Sequence, residues 1–191
     1  MESAPASRFA NAAELAGACA RDSGLCEAIE SVTQGLAQVL AAGGTVLVAG
    51  NGGSMAQAAH LAEECTGRFR ADRRPFAVLS LDSSTHLSCT ANDYGFEEVF
   101  ARGVAALGRP GDALLVLSTS GESENLVRAV TAASGKEMST SALLGRGGGR
   151  LNQMVDHAAV FPGSTPDEVQ DLHMVAIHAI LVGLEEALCT G

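Results

Sequence analysis

The sequence predicts a parallel α/β sheet with helices on both faces, and three observations carry that prediction. Five short, unbroken apolar runs recur along the chain: "TVLVAG" (45–50), "FAVLSL" (76–81), "ALLVLST" (113–119), "TSALLG" (140–145) and "HAAVF" (157–161). Unbroken runs of this length mark strands covered on both faces, whereas a strand with one wet face alternates. Segments with helical periodicity lie between most of the runs, and strand–helix alternation is the pattern of parallel crossovers. Two of the runs end in glycines and small hydroxyl residues that open a helix, "AGNGGS" at 49–54 and "STSGES" at 118–123.

Taken in order, residues 8–41 are rich in Ala, Leu and Glu with apolar positions at helical spacing. Gly24 is read as the break between two helices, which makes 1–42 an N-terminal helical arm. The α/β core then occupies 43–191, with helices expected over 54–67, 123–134 and 167–188. "GRGGGR" at 145–150 reads as one loop. There is no internal repeat and no linker, so a single domain over 1–191 is expected.

At 191 residues and 47% hydrophobic content the chain can bury one sizeable core. Its 22 acidic against 12 basic residues give a net charge of -10, which disfavours an extended nucleic-acid contact. The start "MESAPASRFANAAELAG" lacks the basic region and apolar core of a signal peptide, and no stretch reads as long and apolar enough to cross a bilayer. No membrane partner and a cytoplasmic location are expected. Cys19, Cys26, Cys65, Cys89 and Cys189 form no C-x-x-C pair and are expected to be reduced and mostly buried. Cys65 beside Glu64 and Cys89 near Asn92 raise a reactive-thiol reading, but no neighbouring cation pattern supports a stabilised thiolate.

In open parallel sheets the ligand site lies beyond the carboxyl ends of the strands, so the two glycine-hydroxyl loops carry most weight. Their glycines let backbone N–H groups turn toward an anion at a helix N-terminus, and Ser118, Thr119, Ser120 and Ser123 add hydroxyl donors. Such a loop can surround a phosphate monoester without a basic cluster. The competing reading is that these serines cap a helix and turn the chain. "GNGGSM" is neither a P-loop nor a dinucleotide fingerprint.

Two further segments carry chemistry. In "SMAQAAHLAEECTGR", His60 and Glu64 are four apart and share a helix face, fit to bind one metal or to act as an acid–base pair, with Glu63 the solvated alternative. In "TPDEVQDLHMVAIHAILVGLEEAL", Gln170, His173 and His178 lie on the last helix, and spacing alone does not choose between the two histidines.

"AGNGGSMAQAAHLAEECTGRF", "CTANDYGFEEVF", "GDALLVLSTSGESENLVRAV" and "EVQDLHMVAIH", in this order, resemble the sugar isomerase (SIS) domain family. More narrowly, they are similar to its sedoheptulose 7-phosphate isomerases, also called phosphoheptose isomerases. The resemblance covers essentially the whole chain. It implies a three-layer sandwich around a flavodoxin-like, parallel five-stranded sheet, and a homotetramer with active sites formed between subunits. It implies conversion of sedoheptulose 7-phosphate into D-glycero-D-manno-heptose 7-phosphate, the first step toward nucleotide-activated heptose. Carried over residue by residue, zinc ligands fall on His60, Glu64, Gln170 and His178, one ion per subunit. Substrate-binding positions fall on Asn51, Gly52, Gly53, Asn92, Asp93, Ser118, Thr119, Ser120, Ser123 and Gln170. The resemblance thus selects His178 over His173.

Aldose–ketose exchange moves a proton between C1 and C2 through an enediol, which requires a base, an acid and a polarised carbonyl. Glu64 is assigned as base and His178 as the partner acid/base, with Asp93, Asp167 and Arg68 as second-rank contacts. Two positions depart from the family pattern: Met55 stands where histidine or alanine is frequent, and Glu122 puts a negative charge where asparagine is common. The rival readings are an SIS isomerase of another sugar phosphate and a non-catalytic SIS protein, such as the regulators that bind the replication initiator DnaA. Those regulators lack the residues matching Glu64 and His178, and both are present here.

Overall fold

The structure is a computed structural model that describes residues 3–189. The strands β1 (Val46–Gly50), β2 (Val78–Ser80), β3 (Ala113–Ser118), β4 (Ser139–Gly145) and β5 (His157–Phe161) form one sheet in the order β2-β1-β3-β4-β5. Every neighbouring pair is parallel. Seven helices are described: α1 (Ala4–Arg21), α2 (Ser23–Ala41), α3 (Gly53–Thr66), α4 (Ser84–Tyr94), α5 (Val99–Leu107), α6 (Glu124–Ser134) and α7 (Pro166–Cys189).

Side chains alternate across each strand, and that alternation sorts the core into two layers. Val46, Val48, Leu115 and Leu117 face α2, α3 and α7, packing with Leu36, Leu61, Ile177 and Leu181. Leu47, Ala49, Leu114 and Val116 face α5 and α6, packing with Phe100, Val104, Leu126 and Val130. The expected strands and the three expected helices lie within about two residues of their predicted ends, as boundary reading from sequence allows. Helices α4 and α5 occupy the span between β2 and β3, where the sequence marked none.

The break in the helical arm falls at Asp22 and not at Gly24, which lies in the first turn of α2. The Asp22 carboxylate accepts from the Leu25 N–H at 3.0 Å, so an N-cap starts the new helix and the glycine is merely tolerated inside it. The arm is lashed to the start of α7, where Arg8 pairs with Asp167 and Asp171 and Asn11 donates to Glu168. Glu168 also accepts from the Ser164 and Thr165 N–H groups, and these bonds hold its carboxyl down to about 2.

Two other expectations are corrected. Helix α7, at 24 residues and a mean hydropathy of 1.6, is long and apolar enough to span a bilayer by length and composition. Here its apolar side, including Leu172, Ile177, Ile180 and Leu184, lies in the core against α2 and α3. The cysteines are not mostly buried: Cys65 is, Cys19 is partly so, and Cys26, Cys89 and Cys189 are exposed. Cys26 donates to the Cys19 carbonyl at 3.6 Å and Cys89 to Asp93 at 3.5 Å. Burial pushes the Cys65 thiol up to about 12, so it stays protonated.

Candidate active site

The strand order reverses direction between β1 and β3, so the chain leaves their carboxyl ends on opposite sides and opens a crevice there. Gly50 at the end of β1 is in register with Leu117 on β3. The two glycine-hydroxyl loops therefore emerge side by side. At the first, Gly52 has φ +54, a left-handed conformation that suits glycine, and α3 begins with no side-chain cap. At the second, Ser123 stands at the N-cap of α6 but its hydroxyl makes no cap bond. Neither helix start carries a side-chain cap, while the Ser54, Met55 and Leu126 N–H groups donate to the Asn51, Gly52 and Ser123 carbonyls.

The remaining hydroxyls shape the second loop. Ser118 Oγ accepts from the Gly121 N–H at 3.0 Å and Ser120 Oγ from the Glu122 N–H at 3.2 Å, which leaves each hydroxyl proton to donate elsewhere. Glu122 is turned away from the crevice, its Oε1 accepting from the Arg150 N–H at 3.0 Å. The 145–150 loop closes over it: a Cβ on Gly121, at φ +68, would meet the Gly148 carbonyl oxygen at 1.9 Å. Only glycine fits there. Met55 packs against the α5–α6 layer.

Asn51 and Asn125 join the two loops through a reciprocal amide pair, each donating to the other at 2.9 Å. Together with Ser123, Glu97 and Arg128 they line a cavity of about 480 Å³. Asn125, 3% exposed, was not singled out in the sequence. Its signal was its place two residues after Ser123, in the first turn of a helix that follows a binding loop.

The second part of the site is the junction of α3 and α7. His60 and Glu64 sit one turn apart on α3, with Oε1 of Glu64 3.9 Å from His60 Nε2. His178 reaches the same point from α7, its Nε2 3.2 Å from that of His60. Phe69 stacks on the His178 ring at 5.6 Å between centroids. Glu63 holds the other side of His60, its Oε1 3.2 Å from Nδ1. His60, Glu63 and Glu64 are close enough to offer three ligand atoms to one metal ion.

His173, five residues earlier on α7, lies elsewhere. It is fully buried, packs edge-on against Phe161, and neither ring nitrogen has a hydrogen-bond partner. Burial drives its pKa down to about 4, opposed in part by the backbone of Leu144. It is a neutral core residue.

Gln170 lies at the other end of the junction. A Cβ on Gly53 would meet its Nε2 at 2.6 Å, and its backbone carbonyl accepts from Gln57 Nε2 at 2.7 Å. Eight residues separate it from His178, a rise of about 12 Å. Asn92 and Asp93 are apart from both groups on exposed α4, where the Asn92 amide donates to Asp93 at 2.8 Å. They border a surface hollow with Ser84, Ser88 and Cys89. Asp167 pairs with Arg8, away from the His60 cluster.

The SIS domain family profile matches residues 9–145. A phosphoheptose isomerase of Fusobacterium nucleatum is 45% identical over 159 residues, covering 83% of this chain and 82% of that protein. Among solved structures, a phosphoheptose isomerase of Neisseria gonorrhoeae superposes with a TM-score of 0.88 at 34% identity, over 95% of this chain and 96% of that one. A phosphoheptose isomerase of Francisella tularensis superposes with a TM-score of 0.89 at 33% identity, over 94% and 95% of the two chains.

Proposed function

We propose the chemistry of this site from one premise: the chain belongs to the SIS domain family and, within it, to the phosphoheptose isomerases. The protein is an aldose–ketose isomerase that converts sedoheptulose 7-phosphate into D-glycero-D-manno-heptose 7-phosphate, the first step toward nucleotide-activated heptose. The observation that carries this reading is the meeting of Glu64, His60 and His178 at one helix junction, in the same molecule as two anion loops whose helix starts lack side-chain caps. A regulator that only binds sugar phosphate has no need of the first group.

In this reading the phosphate is held by Ser118, Thr119, Ser120 and Ser123 with the amides of their loop, while Asn51, Gly52, Gly53 and Gln170 contact the sugar. Glu64 takes the C1 proton of the ketose and returns it to C2. His178 carries the accompanying proton between the two oxygens, and the Phe69 ring fixes the plane in which it does so.

The donor set suits zinc, one ion per subunit. Ligand atoms around a four-coordinate zinc with bonds of about 2.1 Å stand about 3.4 Å apart. His60 Nε2 stands 3.2 Å from His178 Nε2 and 3.9 Å from Glu64 Oε1, while the trio whose ligand atoms all lie within 4.8 Å of one another is His60, Glu63 and Glu64. His60, Glu64 and His178 would hold the ion, and Gln170, packed on Gly53 and about 12 Å of helix rise from His178, is named as a fourth ligand by the family resemblance alone. When bound, the metal supplies polarisation of the carbonyl and stabilisation of developing negative charge.

Asn92 and Asp93 belong to the site through assembly. The family resemblance supports a homotetramer in which α4 of one subunit completes the site of another. A cytoplasmic location goes with this substrate, because a charged phosphate does not cross a bilayer unaided. The test is to incubate the protein with sedoheptulose 7-phosphate and follow the aldose by NMR, with and without a chelator. Binding without turnover would favour the sensing reading and overturn this one.

A further inference from the structure

The guanidinium of Arg73 lies 5% exposed behind the α3–α7 junction and meets three parts of the chain at once. Its Nη2 donates to the carbonyl of Glu64 at 2.7 Å and its Nη1 to that of Cys65 at 2.9 Å, both in the last turn of α3. Nη1 also reaches the Arg74 carbonyl at 3.2 Å, and the group stacks over the buried Phe76 ring at 4.0 Å. Nε donates to Oε1 of Glu185 on α7 at 3.0 Å, in an ion pair whose acidic side chain is 15% exposed. Glu185 follows His178 by seven residues, within about 20° of it around the helix.

We propose that Arg73 is the positioning residue that sets the spacing between His60 and Glu64 on α3 and His178 on α7. This rests on the isomerase reading for its consequence in catalysis. The last carbonyls of a helix lack partners within it, and here they are tied through one rigid fork to the helix that carries the opposing histidine. Glu64 is thereby held at its own backbone. A reacting constellation tolerates displacements of only about 0.5 Å, and a misplacement of about 1 Å costs on the order of 100-fold in rate. Lysine at this place keeps the charge but offers no planar fork to bridge Glu185 and two carbonyls.

The test compares Arg73→Lys and Glu185→Gln with Val130→Ala, a cavity variant in the opposite core layer that serves as a stability-matched control. Arg73→Lys is expected to lower kcat for sedoheptulose 7-phosphate roughly 10- to 100-fold with KM changed less than about threefold, and to weaken cobalt(II) binding to the metal-free protein about tenfold. Glu185→Gln, which keeps an acceptor, falls between Arg73→Lys and the parent. Ring-nitrogen NMR of His60 and His178 reads their 3.2 Å contact without substrate or metal, and both signals should move in Arg73→Lys and stay in Val130→Ala. If Arg73→Lys matches Val130→Ala in lost melting temperature but keeps kcat, cobalt affinity and ring signals, the residue is only structural and the proposal is overturned. Should the parent protein not isomerise the sugar at all, the isomerase reading fails, while the ring signals still decide for or against the clamp. If Arg73→Lys does not fold, the same readouts on Glu185→Gln decide.

Discussion

The two halves of the site are built on opposite plans. At the β1–β3 crevice, the proposed binding capacity is spread over backbone amides and four small hydroxyls. At the α3–α7 junction it is concentrated in three long side chains, with His60 Nε2 3.2 Å from His178 and 3.9 Å from Glu64. The first plan suits an anion that is only held, the second a proton that has to be moved between named atoms. Loss of one donor from the crevice should weaken binding by degrees, whereas loss of one group at the junction should end turnover.

The sharpest way to break this contrast is Glu64→Gln, which keeps size and hydrogen bonding while removing the base. Turnover of sedoheptulose 7-phosphate is expected to fall by about 10² to 10⁴, the range for one general base, with the far-UV circular dichroism unchanged. Near-normal activity would remove Glu64 from the role.

Next comes the metal. About one zinc per chain is expected by elemental analysis of protein purified without chelator, and chelation should abolish isomerisation until zinc is restored. His178→Ala should weaken metal retention by at least about tenfold. Active protein with no bound divalent metal would make His178 a metal-free acid/base and dissolve the ligand set.

At the crevice, replacing Ser120 and Ser123 together by alanine should raise KM by roughly tenfold and leave kcat within about threefold, because contacts to a remote phosphate are shared by ground and transition states. A collapse of kcat at constant KM would mean that both halves follow the same plan.

The smallest effect on activity is expected at His173. Its pKa in the fold is about 4 against an ordinary 6.5, so between those values the unfolded chain binds a proton that the folded one refuses. Stability should therefore fall as pH drops from 6.5 toward 4, by on the order of 3 kcal/mol in total. In His173→Leu, urea midpoints should lose most of this slope while turnover at pH 7.5 stays as in the parent. An unchanged slope would place the sensitive group elsewhere.

The strands were legible because each run is covered on both faces, and unbroken apolar residues such as "ALLVL" have few other uses. The two strand-to-helix loops were legible because glycines and hydroxyls between a strand and a helix serve a specific backbone geometry. Helices α4 and α5 were harder to read: α4 buries only Thr90, so its apolar periodicity is faint. The helix break was misplaced because Gly24 drew more attention than Asp22, although a carboxylate that caps is the stronger start signal. Periodicity did not separate His173 from His178, since both lie on a long, mostly apolar helix and only the partner brought by α3 distinguishes them. Nor could it find Arg73 or Asn125, whose partners on Glu185 and Asn51 are 112 and 74 residues away in sequence.

The turned-out carboxylate of Glu122 bears on how substrate arrives. This acid is engaged by the Arg150 N–H and Glu124 is paired with Arg128 and Arg150, while Glu97 also stands in the cavity lining. The whole molecule, at -10, nevertheless repels a doubly charged phosphate ester from a distance. Salt screens that repulsion, because the Debye length shrinks from about 30 Å at 0.01 M salt to about 8 Å at 0.15 M. Diffusional capture of the sugar phosphate is therefore faster at physiological ionic strength than in dilute buffer, the reverse of an enzyme that steers its anion with a basic surface.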